Sequence, residues 1–432
     1  MNHHAGSWTC RSCSRRYPVA EVVYVCDCDR AGRLDLADGP GGPVATGEPT
    51  LWRYAPVLPL GPDGAGARAV RTGFPAGWTP LRRAPAAAAG LGAGELLVKD
   101  ESVNPTGSLK DRASALVVAA AVELGRQVVA TASTGNAALA LARAAEVAGM
   151  PCVVFVPARA GADRIRLLAG HGAHVVVVAG DYDATVGIGL EACAAFGWYC
   201  RTTAVNPFTT QGKKTVGLEI AEQCGGLAPD LVVVPVGDGN ILVGLHRGLR
   251  DAVRLGWLDR MPPIVGVQAA GAAAVHRAWA AGLTAVPDAP ADTVAGGIAV
   301  GHPMDGARAV AAVRESGGAL VTVSDREILG AGTELAVRAG VVAEPSSAAG
   351  FAALPGLDLR GRRVVVVNTG GARRGPADGG GGPAVPEDVR TPEPVAPTLE
   401  AVRAALAGVT GIPMEVLPPG RRLGRLSGIS GT

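Results

Sequence analysis

The sequence lacks the long apolar runs that membrane proteins need. No stretch of its 432 residues approaches the roughly 20 consecutive apolar residues that span a bilayer. Residues 1–7 contain no positive segment followed by an apolar one, so we expect no secretory signal. Charge is balanced, with a formal net charge of +2 and no basic stripe of the kind that binds nucleic acid. These absences argue against membrane and nucleic-acid partners and predict a cytoplasmic protein.

Cysteine is too sparse for a fold that is built on disulfides. The chain has eight cysteines in 432 residues, and four of them are crowded between positions 10 and 28. Small secreted scaffolds carry a much higher density of cysteine. The remaining four lie in apolar patterns, so we expect them in the core as small hydrophobic residues.

What the sequence does contain is an alternation of valine-rich runs and alanine-rich helical patterns. The valine runs are continuous, which is typical of strands buried on both faces of a parallel sheet. They are Glu95–Lys99, Val128–Ala130, Cys152–Val156, His174–Val178, Leu231–Val234 and Val364–Val367. The helical patterns are Ala113–Leu124, Ala137–Val147, Asp163–Leu168, Thr185–Ala195, Thr215–Gln223 and Ile241–Val253. The alternation predicts an α/β architecture, and the number of units favours two α/β domains with a cleft between them.

A single lysine stands where one of these strands gives way to a helix. The segment Asn104–Arg112 follows the strand Glu95–Lys99, and its Asn, Pro and Gly residues force a turn, with Ser108 as the expected helix N-cap. Lys110 then falls in the first helical turn, where the helix dipole disfavours its positive charge. A lysine in such a place can act as a neutral nucleophile and form a Schiff base. A solvated surface lysine is the alternative.

Three glycine-centred turns follow predicted strands and precede helices, where α/β sheets place ligand sites. Ser133–Asn136 offers hydroxyls and an amide at a helix N-terminus, which suits an anionic group. Gly237–Ile241 has small residues whose N–H groups can cradle a phosphate, and no Gly-Lys-Ser/Thr follows as in a Walker A loop. Asn368–Gly371 places the Thr369 hydroxyl where it can bond a ring nitrogen. A helix cap, a tight connection and a strand-ending turn are the respective alternatives.

A nucleophilic lysine, a phosphate cradle and a ring-facing hydroxyl together are typical of a pyridoxal phosphate site. From Gly77 to Gly371 the sequence resembles the fold type II pyridoxal-phosphate enzymes, and in particular the threonine synthase-like family. The matching segments keep the family's order: Gly77–Leu81, Asn104–Arg112, Ala132–Asn136, Asn206–Thr215, Pro235–Ile241, Glu344–Ala349 and Asn368–Gly370. The resemblance implies a tryptophan synthase beta-like fold of two three-layer α/β/α domains of mostly parallel sheet, with the cofactor in the cleft.

The resemblance also implies a role for each candidate residue. It makes Lys110 the residue that holds pyridoxal phosphate as a Schiff base and shuttles protons. It sets Asn136 against the 3-oxygen of the cofactor, and Thr369 against a pyridine nitrogen that stays unprotonated, which suits elimination and replacement. It places the cofactor phosphate on a cradle of five residues, Gly237, Asp238, Gly239, Asn240 and Ile241. It assigns the substrate carboxylate to Ser133, Thr134 and Gly135.

The crowded cysteines are similar to the zinc-ribbon head found in some members of this family. Four thiolates can close a tetrahedral structural zinc site. They are Cys10, Cys13, Cys26 and Cys28, with one residue in the second pair where a ribbon usually has two. Reduced cysteines without a metal are the alternative. We therefore expect a zinc-ribbon-like head over 1–48, a catalytic region of two lobes over 49–375, and a tail over 376–432. A Pro/Gly-rich linker, Pro376–Pro397, and a short helix, Leu399–Leu406, are predicted in that tail.

The expected activity is a pyridoxal-phosphate-dependent elimination or replacement on a small amino acid. Conversion of O-phosphohomoserine to threonine and phosphate is the first candidate, with Lys213 or Lys214 as a contact for an anionic leaving group. Ala299 and His302 depart from residues that are common in the family's substrate-facing segment. A threonine or serine dehydratase, a diaminopropionate-type lyase and a β-replacement synthase therefore stay open, as does a scaffold without catalysis. The resemblance further implies a homo-oligomer.

Overall fold

The computed structural model describes residues 6–21, 23–28, 33–37, 42, 44–372 and 391–417. Within these residues the chain forms two compact units that interleave along the sequence. The first unit takes its described residues from 1–76, 110–212 and 374–432, and the second takes its own from 77–109 and 213–373. No helix in the described part of the chain has the length and apolar character needed to cross a membrane.

The strands and helices alternate through most of the chain, as the sequence predicts. The strands are β1 (Ser7–Cys10), β2 (Arg16–Pro18), β3 (Leu34–Leu36), β4 (Leu81–Arg83), β5 (Glu95–Asp100), β6 (Val129–Ala132), β7 (Cys152–Pro157), β8 (Ala173–Val178), β9 (Tyr199–Cys200), β10 (Leu231–Pro235), β11 (Ile264–Ala269), β12 (Ala319–Val323) and β13 (Arg363–Asn368). The helices are α1 (Ala65–Arg71), α2 (Pro85–Leu91), α3 (Lys110–Glu123), α4 (Asn136–Val147), α5 (Ala162–Gly170), α6 (Tyr182–Phe196), α7 (Pro207–Gln223), α8 (Asn240–Arg254), α9 (Ala274–Ala280), α10 (Gly306–Glu315), α11 (Asp325–Ala339), α12 (Pro345–Ala352) and α13 (Leu399–Ala405). Short 3-10 helices cover Leu51–Val57, Glu101–Val103, Ala270–Ala272, Gly296–Ile298 and Leu354–Gly356.

A four-stranded parallel sheet forms the centre of the first unit, in the spatial order β8–β7–β6–β9. Every residue of β7 is buried, because helices such as α4 and α6 pack on the sheet. A strand that is covered on both faces needs no polar residue, which explains its continuous apolar run. The predicted parallel α/β architecture is thereby confirmed for this unit.

The cysteine-bearing head belongs to the first unit and is anchored to it by two aromatic residues. Its three short strands form an antiparallel sheet in the order β2–β1–β3. Trp8 is fully buried and meets Phe208 edge to face, with ring centroids 5.0 Å apart. The Cys200 N–H donates to Tyr24 Oη at 2.8 Å, and burial raises the pKa of this phenol well above its usual value. The head is therefore joined to β9 and to the start of α7.

The C-terminal segment also packs on the first unit, which the predicted linker did not foresee. Most of Pro376–Pro397 lies outside the described residues, but Val395 forms a parallel bridge with Val178 at the edge of β8. α13 confirms the predicted helix. Further on, the indole N–H of Trp198 donates to Pro413 O at 2.8 Å. A single valine among prolines can use its backbone groups on an open sheet edge, so composition alone gave the wrong answer at Val395.

A six-stranded sheet forms the centre of the second unit, in the order β12–β11–β10–β13–β5–β4. All neighbouring pairs are parallel except β4 with β5, which makes β4 an antiparallel edge strand. The two central strands β10 and β13 are almost wholly buried. The mostly parallel sheet is thus confirmed here too, while β11 and β12 were not predicted.

The start of α7 differs from the prediction. The helix begins at Pro207, whereas the pattern predicted Thr215. Proline suits the first position of a helix, and Asn206 Oδ1 accepts the Phe208 N–H at 3.0 Å. The first two turns are buried although they are rich in Thr, Gln and Lys. Hydrophobic periodicity therefore could not reveal them.

A buried ion pair connects β5 to α7 within the second unit. Lys99 Nζ donates to Glu219 Oε2 at 2.6 Å and to Thr79 O at 2.6 Å, and both charged side chains have no exposed surface. Glu219 also accepts the N–H groups of Trp78 at 2.7 Å and Thr79 at 3.2 Å. Trp78 has a φ of +48°, a conformation that L-residues with side chains rarely adopt. The ion pair therefore fixes a strained turn that follows Gly77.

We expect Lys99→Met to lower the free energy of unfolding by about 3–5 kcal/mol, because it leaves the Glu219 carboxylate buried without its cation. Arg83→Met is the matched control, since Arg83 pairs with Glu95 on the same sheet but is 79% exposed. The control should cost less than about 1 kcal/mol. Urea unfolding followed by circular dichroism measures both variants. Equal losses in the two variants would contradict this account.

A chain that ends at residue 390 should unfold at a lower temperature than one that ends at residue 417. The shorter chain loses the Val395 pairing and the acceptor of the Trp198 N–H, a buried donor whose loss of partner costs about 1–3 kcal/mol. Thermal unfolding followed by tryptophan fluorescence compares the two chains. The segment has no structural role if both melt at the same temperature.

Candidate active site

Lys110 is the first residue of α3, which confirms the predicted position in a first helical turn. The predicted N-cap is wrong, because Ser108 Oγ is buried and has no hydrogen-bond partner among the described residues. Instead, Ser108 pairs with Gly370 as an antiparallel bridge, and the Leu109 N–H donates to Thr369 O at 2.9 Å. Extended pairing up to Leu109 leaves Ser108 too far from the helix to cap it. The boundary between the two units falls directly after Leu109.

Lysine is scarce in this chain, and Lys110 differs from the others in its exposure. The sequence holds four lysines, all of them described. Three are 3% exposed or less, namely Lys99, Lys213 and Lys214, whereas Lys110 is half-buried. Lys110 is therefore the one lysine of the four that is not fully buried. The scarcity of lysine is visible in the sequence itself, because only four of its 40 lysine and arginine residues are lysines.

The loop Ser133–Asn136 lies in the same unit as Lys110, between the end of β6 and the start of α4. Gly135 is the N-cap of α4, and no side chain caps the helix there. Ser133 Oγ accepts the Gly135 N–H at 3.1 Å, and the four loop residues are half-buried. The interpretation of this loop as a side-chain cap is not supported. The first turn of α4 can bind an anion through its N–H groups. α3 packs against α4, so the helices that begin with Lys110 and Asn136 are neighbours.

The predicted phosphate cradle lies in the second unit, between β10 and α8. Gly239 caps α8 with a φ of +94°, and a Cβ there would lie 2.7 Å from Asp305 O. A Cβ at Gly237 would lie 3.0 Å from Ile298 Cα. Gly239 therefore requires glycine, while a Cβ on Gly237 would make a tight contact with the Ile298 backbone. Asp238 Oδ1 accepts the Asn240 N–H at 3.0 Å, so this carboxylate is turned back onto the helix.

Lys213 and Lys214 are both buried beside α8. Lys213 Nζ donates to Asn240 Oδ1 at 2.5 Å. Lys214 Nζ pairs with Asp251 Oδ2 at 2.9 Å. Burial lowers the pKa of Lys214, and the Asp251 carboxylate opposes that shift. The Lys214 ammonium therefore has a partner inside the protein, and contact of Lys213 or Lys214 with a leaving group stays a prediction.

The Thr369 hydroxyl lies directly after β13, as predicted. Its Oγ1 is 2.8 Å from Ser347 Oγ, and both residues are buried. Ser347 belongs to Glu344–Ala349, one of the segments that resemble the family, but no role was predicted for it. The two hydroxyls form a neutral pair at the carboxyl end of the sheet.

The predicted substrate-facing segment, Thr293–Pro303, borders the glycine turn Gly237–Ile241. Ile298 Cα lies 3.0 Å from where a Cβ on Gly237 would stand. The Gly297 N–H donates to Ser346 Oγ at 2.8 Å. His302 is 46% exposed in its side chain and lies 2.6 Å from Asp288 through Nδ1. The histidine therefore has a partner on the surface.

The four N-terminal cysteines lie together. Their sulfur atoms are all within 4.8 Å of one another, with Cys10 and Cys28 at 3.9 Å and Cys13 and Cys26 at 3.5 Å. The edges of a tetrahedron of thiolates around zinc measure about 3.8 Å, for Zn–S bonds of about 2.3 Å. The single residue between Cys26 and Cys28 does not prevent this geometry.

Comparison with known proteins shows the family. Residues 74–370 match the family described as "Pyridoxal-phosphate dependent enzyme". The threonine synthase of Methanosarcina acetivorans is 34% identical over 413 residues, which cover 92% of this chain and 98% of that protein. The threonine synthase of Methanocaldococcus jannaschii is 31% identical over 382 residues, 85% of this chain and 92% of that protein. Among solved structures, the T.th. threonine deaminase superimposes with a TM-score of 0.59 at 27% identity, covering 72% of this chain and 97% of the deaminase. The chain therefore belongs to the family of pyridoxal-phosphate-dependent enzymes of fold type II.

Proposed function

We propose that this chain is a threonine synthase, which converts O-phosphohomoserine and water to threonine and phosphate. The observation that carries the proposal is similarity over nearly the whole length of two threonine synthases, at 34% and 31% identity. The threonine deaminase covers a smaller share of the chain, at lower identity. A dehydratase of threonine or serine is therefore the second candidate.

Several candidate residues of this chain fit pyridoxal phosphate. The turn Gly237–Ile241 at the start of α8 suits the phosphate, because its N-cap position, Gly239, requires glycine and carries no side chain. Thr369, backed by Ser347, suits the pyridine nitrogen. Lys110 is the one lysine of the four that is not fully buried. When bound, pyridoxal phosphate withdraws electrons from the α carbon of an attached amino acid.

The chain's own residues would supply binding and proton transfer. The Lys110 amine takes the proton from the α carbon of the substrate and returns protons later in the cycle. Ser133, Thr134 and Gly135 bind the substrate carboxylate with hydroxyl and N–H groups at the start of α4. Asn136 orients the cofactor through its 3-oxygen. A neutral hydroxyl at Thr369 leaves the ring nitrogen without a proton, which moderates electron withdrawal and suits elimination followed by addition of water.

Purified protein should be yellow, and borohydride should fix the cofactor on the peptide that contains Lys110. Lys110→Ala should lower the release of phosphate from O-phosphohomoserine by about 10²–10⁴-fold, the usual effect of losing a catalytic acid or base. Tandem mass spectrometry and a phosphate assay measure the two results.

Assays with different substrates separate a threonine synthase from a dehydratase. Wild type that binds pyridoxal phosphate but releases ketoacid from threonine or serine, and no phosphate, is a dehydratase. Cofactor fixed on Lys99, Lys213 or Lys214 would overturn the assignment of Lys110. Protein that binds no cofactor would leave only the scaffold hypothesis.

We also propose that Cys10, Cys13, Cys26 and Cys28 hold one structural zinc ion in the head. The sulfur distances of 3.5 and 3.9 Å support a tetrahedral site. None of the eight cysteines, all of which lie in the described part of the chain, forms a disulfide, which suits the cytoplasm as the proposed compartment. The predicted homo-oligomer stays a prediction that light scattering can test.

One equivalent of zinc per chain should be found by plasma mass spectrometry. Cys13→Ser with Cys28→Ser should abolish it and lower the melting temperature, because a zinc site contributes folding energy to a small domain. Cys224→Ala, a buried cysteine outside the head, is the control and should keep the zinc. Cobalt that replaces zinc without a sulfur charge-transfer band would contradict the site.

A further inference from the structure

A buried chain of hydrogen bonds runs from Lys213 to the glycine turn of the second unit. Lys213 Nζ donates to Asn240 Oδ1, and Asn240 Nδ2 donates to Asp305 Oδ2, each at 2.5 Å. Arg308 donates to the other Asp305 oxygen at 2.8 Å, while the Asp305 N–H donates to Asp238 O at 3.0 Å. The residues Lys213, Asn240 and Asp305 are each at most 1% exposed. The ammonium is therefore connected to the turn by two side-chain bonds.

Small residues bring α7 close enough to α8 for this chain to form. A Cβ on Gly244 would lie 2.7 Å from Lys213 Cβ, and a Cβ on Gly248 would lie 2.0 Å from Lys214 O. Neither glycine can be replaced without moving a helix. The close approach places Lys213 beside Asn240, one turn before Gly244, at the first residue of α8.

The chain of bonds can hold the Asn240 amide in one orientation only. An ammonium has only donors and therefore meets the amide oxygen, while a carboxylate only accepts and therefore meets the amide nitrogen. The same carboxylate residue, Asp305, packs against Gly239, where a Cβ would lie 2.7 Å from its carbonyl oxygen. Fixing Asn240 thus fixes both sides of the turn. The helix dipole disfavours a cation at the start of α8, and an anion bound on the turn would offset that cost.

We propose that Lys213 is a positioning residue of the phosphate cradle, whose ammonium orients Asn240 and, through Asp305, the turn Asp238–Gly239. The inference rests on the proposed assignment of Gly237–Ile241 to the cofactor phosphate. It gives Lys213 a task in cofactor binding, in place of the predicted contact with a leaving group.

Lys214 offers a matched control. It is adjacent in sequence, similarly buried at 3% exposure, and bonded to the same partner helix through Asp251 at 2.9 Å. Wild type, Lys213→Met and Lys214→Met are prepared without cofactor and titrated with pyridoxal phosphate, with visible absorbance as the signal. Phosphorus NMR of each loaded protein reports the surroundings of the phosphate, and thermal unfolding of the unloaded proteins reports stability.

Both variants should lose stability, because each removes a buried polar partner. Only Lys213→Met should weaken the binding of pyridoxal phosphate, by about 10- to 100-fold, as expected for a hydrogen bond to a charged group. It should also shift the phosphorus resonance, which Lys214→Met should leave at the wild-type position. A purely structural role for Lys213 predicts parallel changes in the two variants.

The outcomes separate this inference from the proposed function. Wild type that binds no pyridoxal phosphate overturns both. Wild type that binds it, with equal affinity in the two variants, overturns the role of Lys213 alone. Should Lys213→Met fail to fold, Lys213→Gln takes its place, because it is shorter and neutral. It should weaken binding in the same direction, and wild-type affinity in that variant also overturns the proposal.

Discussion

The second unit depends on one buried ion pair, Lys99 with Glu219. The carboxylate holds the ammonium and two backbone N–H groups at once, so a strand, a helix and a strained turn meet at a single side chain. Such a pair costs free energy to bury, and removing one partner leaves the other charge buried and uncompensated. Its position matters because β5 leads through Asn104–Leu109 to Lys110.

The sequence predicted the strands that are covered on both faces, since their valine runs need no knowledge of tertiary structure. β7 and β10 are examples. β11 escaped because Gly266 and Gln268 interrupt it. Gln268 is fully buried, and it bonds Val236 O at 3.3 Å and the His276 N–H at 2.8 Å, partners that only the fold supplies. A polar residue favours a loop in a prediction from sequence, but it can lie in the core when the fold supplies its hydrogen-bond partners.

The candidate site shows the same division. Lys110, the turn at Gly239 and Thr369 were predicted at the correct places in their elements, because strand ends and glycine turns are local features. Ser347 and the bond from Lys213 were not predicted, since both depend on which helices become neighbours. Residue type and spacing thus locate the candidate ligand-binding groups, while the side chains that hydrogen-bond to them become visible only in the fold.

The interleaving of the two units has a consequence for biosynthesis. β5 pairs with β13, and the bond from Asn368 to Asp100 spans 268 residues of chain. During translation, β5 can pair at once with β4, but its other partner, β13, is made only after nearly the whole catalytic region. Parallel pairing across such a distance slows folding and leaves an apolar strand edge exposed meanwhile. Nascent chains of this protein should therefore be clients of chaperones that shield strand edges on the ribosome.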